Sequence, residues 1–256
     1  MAEANVNGIT ISYGAAGDGP AVFLSHGYSA TGRMWRPQQK ALTEAGYRLI
    51  TWDMRGHGQT DSPEDPDQYS EALTIADMLG LLDLLAVDRA VVGGLSLGGF
   101  MSLAFYRAHP ERVRALVLCD TGPGYRNPEA RAGWNRAAEK RARDLAERGL
   151  AALGGGTEVR ATGRYHRSAQ GLAHAARGML AQFDARVIDS LPDVKVPTLV
   201  IVGGKDEPFR GASEYMVAKI PGARLEVIPD AGHAANLDQP EAFNRALLDF
   251  LASLPA

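Results

Sequence analysis

Short apolar runs alternate with longer amphipathic runs along most of this chain. A continuous apolar run is typical of a strand buried on both faces, and strict alternation is typical of a half-buried strand. The pattern predicts strands at Ile9–Tyr13, Ala21–Leu24, Arg48–Trp52, Ala90–Gly93, Val113–Leu118, Thr198–Val202 and Arg224–Ile228. Apolar residues at helical spacing predict helices at Trp35–Ala45, Thr74–Leu85, Phe100–His109, Ala212–Ile220 and Pro240–Leu254. Strands that alternate with helices predict an α/β fold, with a parallel sheet covered on both faces.

The alternation is interrupted once, between Pro123 and Pro192. This stretch has no convincing strand, is rich in Ala, Arg and Glu, and is divided by three glycines at 154–156. We therefore expect a helical insertion at residues 123–192, with residues 1–122 and 193–256 forming the core. Between Arg126 and Arg167 there are ten basic and five acidic residues. A solvated helix face is the simpler explanation for this charge, and attraction of an anionic substrate is the alternative.

Composition and charge restrict the classes of protein. The chain is 45% hydrophobic and 22% charged, with a net charge of -3, so nothing indicates a nucleic-acid partner. The N-terminal residues lack the features of a signal peptide, and no apolar run approaches the roughly 18 residues that span a bilayer. The single cysteine, Cys119, excludes an internal disulfide framework. We expect a cytoplasmic protein that does not bind membranes, as either a monomer or a dimer.

The stretch Gly94-Leu95-Ser96-Leu97-Gly98 carries the most specific chemistry, because it joins a predicted strand to a predicted helix. In that setting G-x-S-x-G is typical of a nucleophile elbow, a sharp turn that exposes a serine oxygen. The glycines remove Cβ atoms that would clash, and the helix N-terminus leaves backbone N–H groups free to face an oxyanion. Ser96 is therefore the candidate nucleophile.

A serine nucleophile needs a base, and the base needs an acid that orients it. His233 lies in a glycine-led loop after the last predicted strand, and Asp206 lies in the loop after the preceding strand. In open parallel sheets, ligands bind beyond the carboxyl ends of the strands, which is where both loops lie. Asp120 also follows a strand and is the alternative acid.

An oxyanion hole needs two convergent N–H donors. We expect them from the backbone of Leu97, directly after the nucleophile, and of Tyr28, in the loop after Ala21–Leu24. Four side chains are candidates for the substrate pocket, although such residues are more often plain core: Trp35, Phe100, Trp134 and Met179.

Other patterns have a weaker claim to function. We interpret His57, in the glycine-rich loop at 53–62, as structural, and Cys119 as a small buried hydrophobe. A nucleotide-binding turn would need a glycine where Ser96 stands. The histidines and carboxylates show no metal-ligand spacing. We therefore expect neither a cofactor nor a metal.

Taken together, the chain resembles the α/β-hydrolase family over nearly its whole length. The matching stretches are Ser25-His26-Gly27-Tyr28, Asp53-Met54-Arg55-Gly56-His57-Gly58, Gly94-Leu95-Ser96-Leu97-Gly98-Gly99, His109-Pro110-Glu111-Arg112-Val113, Gly203-Gly204-Lys205-Asp206 and Gly232-His233. The resemblance implies a mostly parallel eight-stranded sheet flanked by helices, with a small helical lid inserted after the sixth strand. Within the family the chain looks like bacterial carboxylesterases, enol-lactone hydrolases and C–C bond hydrolases. Haloalkane dehalogenases and epoxide hydrolases have an aspartate at the elbow, so Ser96 argues against both.

These observations predict a serine carboxylesterase that acts on a small to medium ester, with water as the second substrate. An enol-lactone or C–C bond hydrolase would use the same three residues. A ligand-sensing receptor on a hydrolase fold, with very slow turnover, is the alternative from another class.

Overall fold

A sheet of eight strands forms the centre of the computed structural model, which describes residues 1–255. The strands are β1 (Ala2–Val6), β2 (Ile9–Ala16), β3 (Ala21–Ser25), β4 (Arg48–Trp52), β5 (Ala90–Leu95), β6 (Val113–Cys119), β7 (Thr198–Gly203) and β8 (Arg224–Ile228). Their order across the sheet is β1-β2-β4-β3-β5-β6-β7-β8. The pairs β1–β2 and β2–β4 are antiparallel, and the remaining pairs are parallel. The mostly parallel eight-stranded α/β fold is confirmed.

Ten α-helices connect or follow the strands. They are α1 (Arg36–Glu44), α2 (Glu71–Leu84), α3 (Leu97–Ala108), α4 (Pro128–Arg148), α5 (Thr157–Thr162), α6 (Ala169–Ala175), α7 (Arg186–Asp189), α8 (Glu207–Lys219), α9 (Ala235–Asp238) and α10 (Pro240–Ala252). Helix α8 begins five residues before its predicted start at Ala212, so Asp206 directly precedes it. None of the helices described is long and apolar enough to cross a membrane.

Strand β1 is the strand that the hydrophobic pattern does not predict. It lies at the edge of the sheet, pairs only with β2, and buries only Val6. An edge strand with mostly exposed side chains has no apolar run to mark it, so backbone pairing alone defines it.

The two faces of the sheet carry separate apolar layers. On one face, Phe23, Val92 and Leu116 pack with residues of α2 and α3. On the other face, Val22 and Val117 pack with residues of α1 and α10. Alternate residues of one strand therefore enter different layers, which explains why the central strands β3 and β5 are almost entirely apolar.

The segment between β6 and β7 is helical, and its 78 described residues contain no strand. Its buried residues Met179, Leu180 and Val187 belong to the same apolar layer as Phe23 of the sheet. The Tyr28 hydroxyl, in the loop after β3, donates to the Leu172 carbonyl at 2.9 Å. The inserted segment therefore shares a core with the sheet.

A buried histidine fixes the same segment to two loops of the sheet. His166 Nδ1 accepts the Gly58 N–H at 2.9 Å, and Nε2 lies 2.9 Å from the Ser29 carbonyl oxygen. An imidazole that accepts at Nδ1 and donates at Nε2 is neutral, and burial lowers the pKa of His166, which favours that form. Nearby, the Thr31 N–H donates to Thr162 Oγ1 at 3.1 Å.

The loop after β4 is held by a fully buried ion pair. Arg55 Nε and Nη2 donate to the two carboxylate oxygens of Asp77, at 2.6 and 2.9 Å. The side chains are 1% and 0% exposed. Asn7 Nδ2 also donates to Asp77, at 3.1 Å. The ion pair with Asp77 therefore gives Arg55 a structural role in this loop.

We predict that Asp77→Ala will lower the free energy of unfolding by about 3–5 kcal/mol, because it leaves a buried guanidinium without its partner. Urea denaturation measures the loss. Asp83→Ala is the matched control, because Asp83 pairs with Arg112 but is 61% exposed. It should cost less than about 1 kcal/mol. Equal losses in the two variants would contradict this account of the loop.

Candidate active site

Ser96 occupies a strained turn between β5 and α3. Its backbone has φ 53° and ψ −114°, a conformation that costs a non-glycine residue about 1–3 kcal/mol. The Ser96 N–H donates to the Cys119 carbonyl at 2.9 Å, and its own carbonyl accepts from Thr121 Oγ1 at 2.6 Å. Strand β6 and the residues after it therefore hold the turn in place.

The glycines beside Ser96 permit a close approach to the end of β3. A Cβ at Gly94 would lie 2.6 Å from the Ser25 carbonyl oxygen, and one at Gly98 would lie 2.7 Å from that of His26. Both distances are shorter than real Cβ contacts. Neither glycine has a positive φ, so what these positions require is space.

Asp206 and His233 meet at the carboxyl ends of β7 and β8. His233 Nδ1 donates to Asp206 Oδ2 at 2.8 Å, and Phe209 of α8 packs with its ring 4.9 Å from the imidazole. The Asp206 side chain is 5% exposed and that of His233 is 32% exposed. With Nδ1 bound to the carboxylate, Nε2 is the nitrogen that can accept a proton.

Asp120, the alternative acid, has different partners. Its carboxylate accepts the N–H groups of Gly203 at 2.7 Å and Ala235 at 3.3 Å. These residues flank the loops that carry Asp206 and His233, so Asp120 ties the two loops together. Of the two candidate acids, Asp206 is the one bonded to the imidazole.

The surroundings of His233 favour its protonated form. Burial opposes protonation, but the hydrogen bond and negative charge of Asp206 outweigh it, so the pKa of His233 is raised above its ordinary value of 6.5. Glu158 acts in the same direction. Asp120 contributes only when ionised, and burial raises its own pKa to about 8.

Leu97 lies in the Ser96 turn, and Tyr28 lies in a loop beside it. Leu97 is the first residue of α3, so its N–H has no acceptor within the helix. Tyr28 follows Gly27, where a Cβ would lie 2.9 Å from Leu95 Cδ2 and 3.6 Å from Ser96 Cβ. The loop after β3 therefore packs directly on the turn.

Two cavities meet at Ser96. The larger, about 630 Å³, is lined by Ser96, His233, Asp206 and Tyr28, and by residues of the inserted segment that include Arg141 and Glu158. The smaller, about 130 Å³, lies beside Leu97 and Phe100 and is mostly apolar. Trp134 lines both cavities. The structure therefore brings Phe100 and Trp134 to the site, as the sequence analysis expected.

Two other pocket candidates, Trp35 and Met179, lie elsewhere. Trp35 is fully buried on the opposite face of the sheet, with its ring 6.1 Å from that of Phe243. Met179 is 1% exposed and packs in the layer that the inserted segment shares with the sheet. Neither lines the cavities that the described residues form around Ser96. Both pocket assignments were wrong, because the chain order of an apolar residue does not tell which layer it enters.

The sequence analysis also missed residues of the site. Arg141, Glu158 and Phe209 line the larger cavity, yet no motif marks them. The charges of the inserted segment were considered only as a group, and an individual carboxylate in a helical stretch gives no signal of its direction. Only the packing of α4, α5 and α8 identifies them.

His57 has a structural environment. It is buried, its Nδ1 lies 2.9 Å from the Arg55 carbonyl oxygen, and its ring packs against those of His26 and Tyr28. Burial lowers its pKa well below the ordinary value. Cys119 is likewise fully buried, at the end of β6. Within residues 1–255, no cluster of three or more His, Cys, Asp and Glu side chains could hold a metal ion.

Comparison with known proteins gives a consistent result. Residues 21–246 match the family model described as "Alpha/beta hydrolase family". A 3-oxoadipate enol-lactonase of Acinetobacter baylyi is 30% identical, over 98% of this chain and 96% of the relative. A thermophilic esterase of Thermogutta terrifontis is 30% identical, with a TM-score of 0.83 over 98% of each chain. An enol-lactonase of Burkholderia xenovorans is 29% identical, with a TM-score of 0.78 over 98% of this chain and 100% of its own.

We predict that His233 titrates above pH 6.5, and that Asp206→Asn lowers its pKa by removing the carboxylate charge. NMR titration of the imidazole resonances measures both values. His26 is the internal control, because burial lowers its pKa to about 3 and it should stay neutral throughout. A His233 pKa that responds to Asp120→Asn but not to Asp206→Asn would reverse the assignment of the acid.

Proposed function

Because the chain belongs to the Alpha/beta hydrolase family, we propose that it is a serine esterase that cleaves small to medium carboxylic esters. The observation that carries this proposal is the arrangement at one cavity. Ser96 on its strained turn and the His233–Asp206 pair line the same 630 Å³ space. A serine, an imidazole and a carboxylate placed in this way are the groups that acyl transfer requires.

In the proposed reaction, Ser96 Oγ attacks the ester carbonyl carbon while His233 Nε2 takes the hydroxyl proton. Asp206 holds the imidazole in the tautomer that makes this possible. The N–H groups of Leu97 and Tyr28 stabilise the oxyanion of the tetrahedral intermediate. The intermediate expels the alcohol, which receives the proton from His233. Water, activated by His233, then attacks the acyl-enzyme and releases the acid and Ser96.

The two cavities support a proposal for where the alcohol and acyl halves of the ester bind. The leaving oxygen must lie within reach of His233, which lines only the larger cavity. The alcohol therefore occupies the larger cavity, and the acyl chain occupies the smaller, apolar one beside Phe100. A space of about 130 Å³ fits a short acyl chain.

The helical segment at 123–192 is proposed as the lid over the core formed by residues 1–122 and 193–256. Its contribution to the larger cavity, through Arg141, Leu145 and Glu158, supports this assignment. Hydrogen bonds between the core and this segment, such as that of the Tyr28 hydroxyl to the Leu172 carbonyl, favour a lid that shapes the pocket rather than one that opens widely.

An enol-lactone is the second candidate substrate. Two of the relatives described above are enol-lactonases, and a lactone is an ester that the same three residues would open. The turnover rate distinguishes the proposed esterase from a receptor with very slow turnover. A functional esterase is expected to turn over short acyl esters faster than about one per second.

We predict that Ser96→Ala will lower kcat for p-nitrophenyl butyrate by about 10³-fold or more, because it removes the nucleophile. Intact-mass analysis after fluorophosphonate treatment should show one adduct, which peptide mapping places on Ser96. Ser213→Ala is the matched control, because Ser213 is also buried but lies in α8 outside the cavities at Ser96. A Ser96→Ala enzyme with full activity would exclude the proposed mechanism.

Phe100 is expected to limit the length of the acyl chain. Phe100 and Gln182 line both the acyl cavity and a neighbouring cavity of about 360 Å³. We predict that Phe100→Ala joins the two spaces and raises the ratio of octanoate to butyrate kcat/KM for p-nitrophenyl esters. Phe183→Ala, which truncates a side chain lining only the neighbouring cavity, should leave the ratio unchanged. An unchanged ratio in Phe100→Ala would place the acyl chain elsewhere.

A further inference from the structure

One buried carboxylate in the larger cavity lacks a protein partner. Glu158, in the first turn of α5, is 7% exposed and lines the cavity together with Ser96 and His233. Its Oε2 atom is buried and receives no hydrogen bond from any described residue. A buried carboxylate without a donor is costly, so such a group is normally paired or serves a ligand.

Hydrogen bonds hold the backbone of Glu158 in place. The Glu158 carbonyl accepts from Thr162 Oγ1 at 2.8 Å, and the same oxygen of Thr162 accepts the Thr31 N–H from the core. A Cβ at Gly156 would collide with the Glu158 carboxylate, so the glycine at this position leaves space for it. The backbone that carries the carboxylate is therefore tied to the core.

The Glu158 carboxylate shares this cavity with the proposed base, His233. Its negative charge is one of the influences that raise the pKa of His233. In the proposed reaction the alcohol half of the ester lies beside His233, so that half is the part of the substrate which Glu158 can reach. An ionised carboxylate is acceptor-only, and a charged acceptor prefers a charged or strongly polar donor.

We infer that Glu158 is a specificity-determining residue that binds a hydrogen-bond donor on the alcohol portion of the ester. The donor is an ammonium or a hydroxyl group a few atoms from the ester oxygen. This inference rests on the proposed esterase function, and it restricts the substrate class to esters of amino alcohols or of polyols.

Two pairs of isosteric butyrate esters test the inferred role of Glu158. In the first, 2-(dimethylamino)ethyl butyrate is compared with 3-methylbutyl butyrate, which replaces the N–H by C–H. In the second, 3-hydroxypropyl butyrate is compared with n-butyl butyrate. The measured quantity is the ratio of kcat/KM within each pair, for the wild type, Glu158→Gln and Glu158→Leu. Comparing the ratios between enzymes cancels intrinsic ester reactivity and any common change at His233.

For an ammonium donor, Glu158→Gln should lower the first ratio by about tenfold or more, because it removes the charge. For a hydroxyl donor, Glu158→Gln should preserve the second ratio, since the amide still accepts, and Glu158→Leu should lower it. Glu147→Gln is the matched control, because Glu147 is an exposed glutamate of the same segment that does not line the cavity. It should change neither ratio.

The same measurements distinguish a wrong assignment of Glu158 from a wrong proposed function. If the wild type hydrolyses all four esters and neither Glu158 variant changes either ratio, the assignment of Glu158 is wrong and the proposed function stands. If the wild type hydrolyses none of the esters, the proposed function fails and the assignment fails with it.

Discussion

The close approach of two backbone segments governs the geometry of this protein. The turn at Ser96 packs on the end of β3 with only glycines between them, at Gly27, Gly94 and Gly98. That contact places the loop that carries Tyr28 against the turn that carries Ser96 and Leu97. Because the Ser96 N–H also donates to the Cys119 carbonyl of β6, the centre of the sheet holds Ser96 in its strained conformation. A surface loop could not maintain such a conformation.

The inserted segment extends this rigidity to the walls of the cavity. Tyr28 lies in the loop that packs on the Ser96 turn, and its hydroxyl donates to the Leu172 carbonyl, so one residue connects the turn to the inserted segment. His166 adds a second connection, in which a neutral imidazole bridges Gly58 and Ser29. The residues that shape the cavity are thus fixed relative to Ser96 by buried polar bonds as well as by apolar packing.

Much of this could be predicted from the sequence. Apolar or alternating runs locate seven of the eight strands, because a strand that packs on the core buries one or both of its faces. Strand β1, exposed at the edge, has no such run. Ser96, Asp206 and His233 could be selected because each follows a strand. The residues that line the pocket were harder to predict from the sequence. The assignment of Trp35 and Met179 to the pocket was wrong, and Glu158 was not predicted. The layer that a side chain enters depends on packing between distant segments.

The three glycines before α5 have unequal surroundings, and this has a consequence for adaptation. A side chain at Gly156 would displace the Glu158 carboxylate, whereas a Cβ at Gly154 would meet no atom within 4 Å, although Gly154 also borders the cavity. Selection, natural or in a laboratory library, can therefore vary the mouth of the pocket at Gly154 with little cost to the fold. One loop thus combines a position whose substitution would move the Glu158 carboxylate with another, two residues away, that can vary without such a contact.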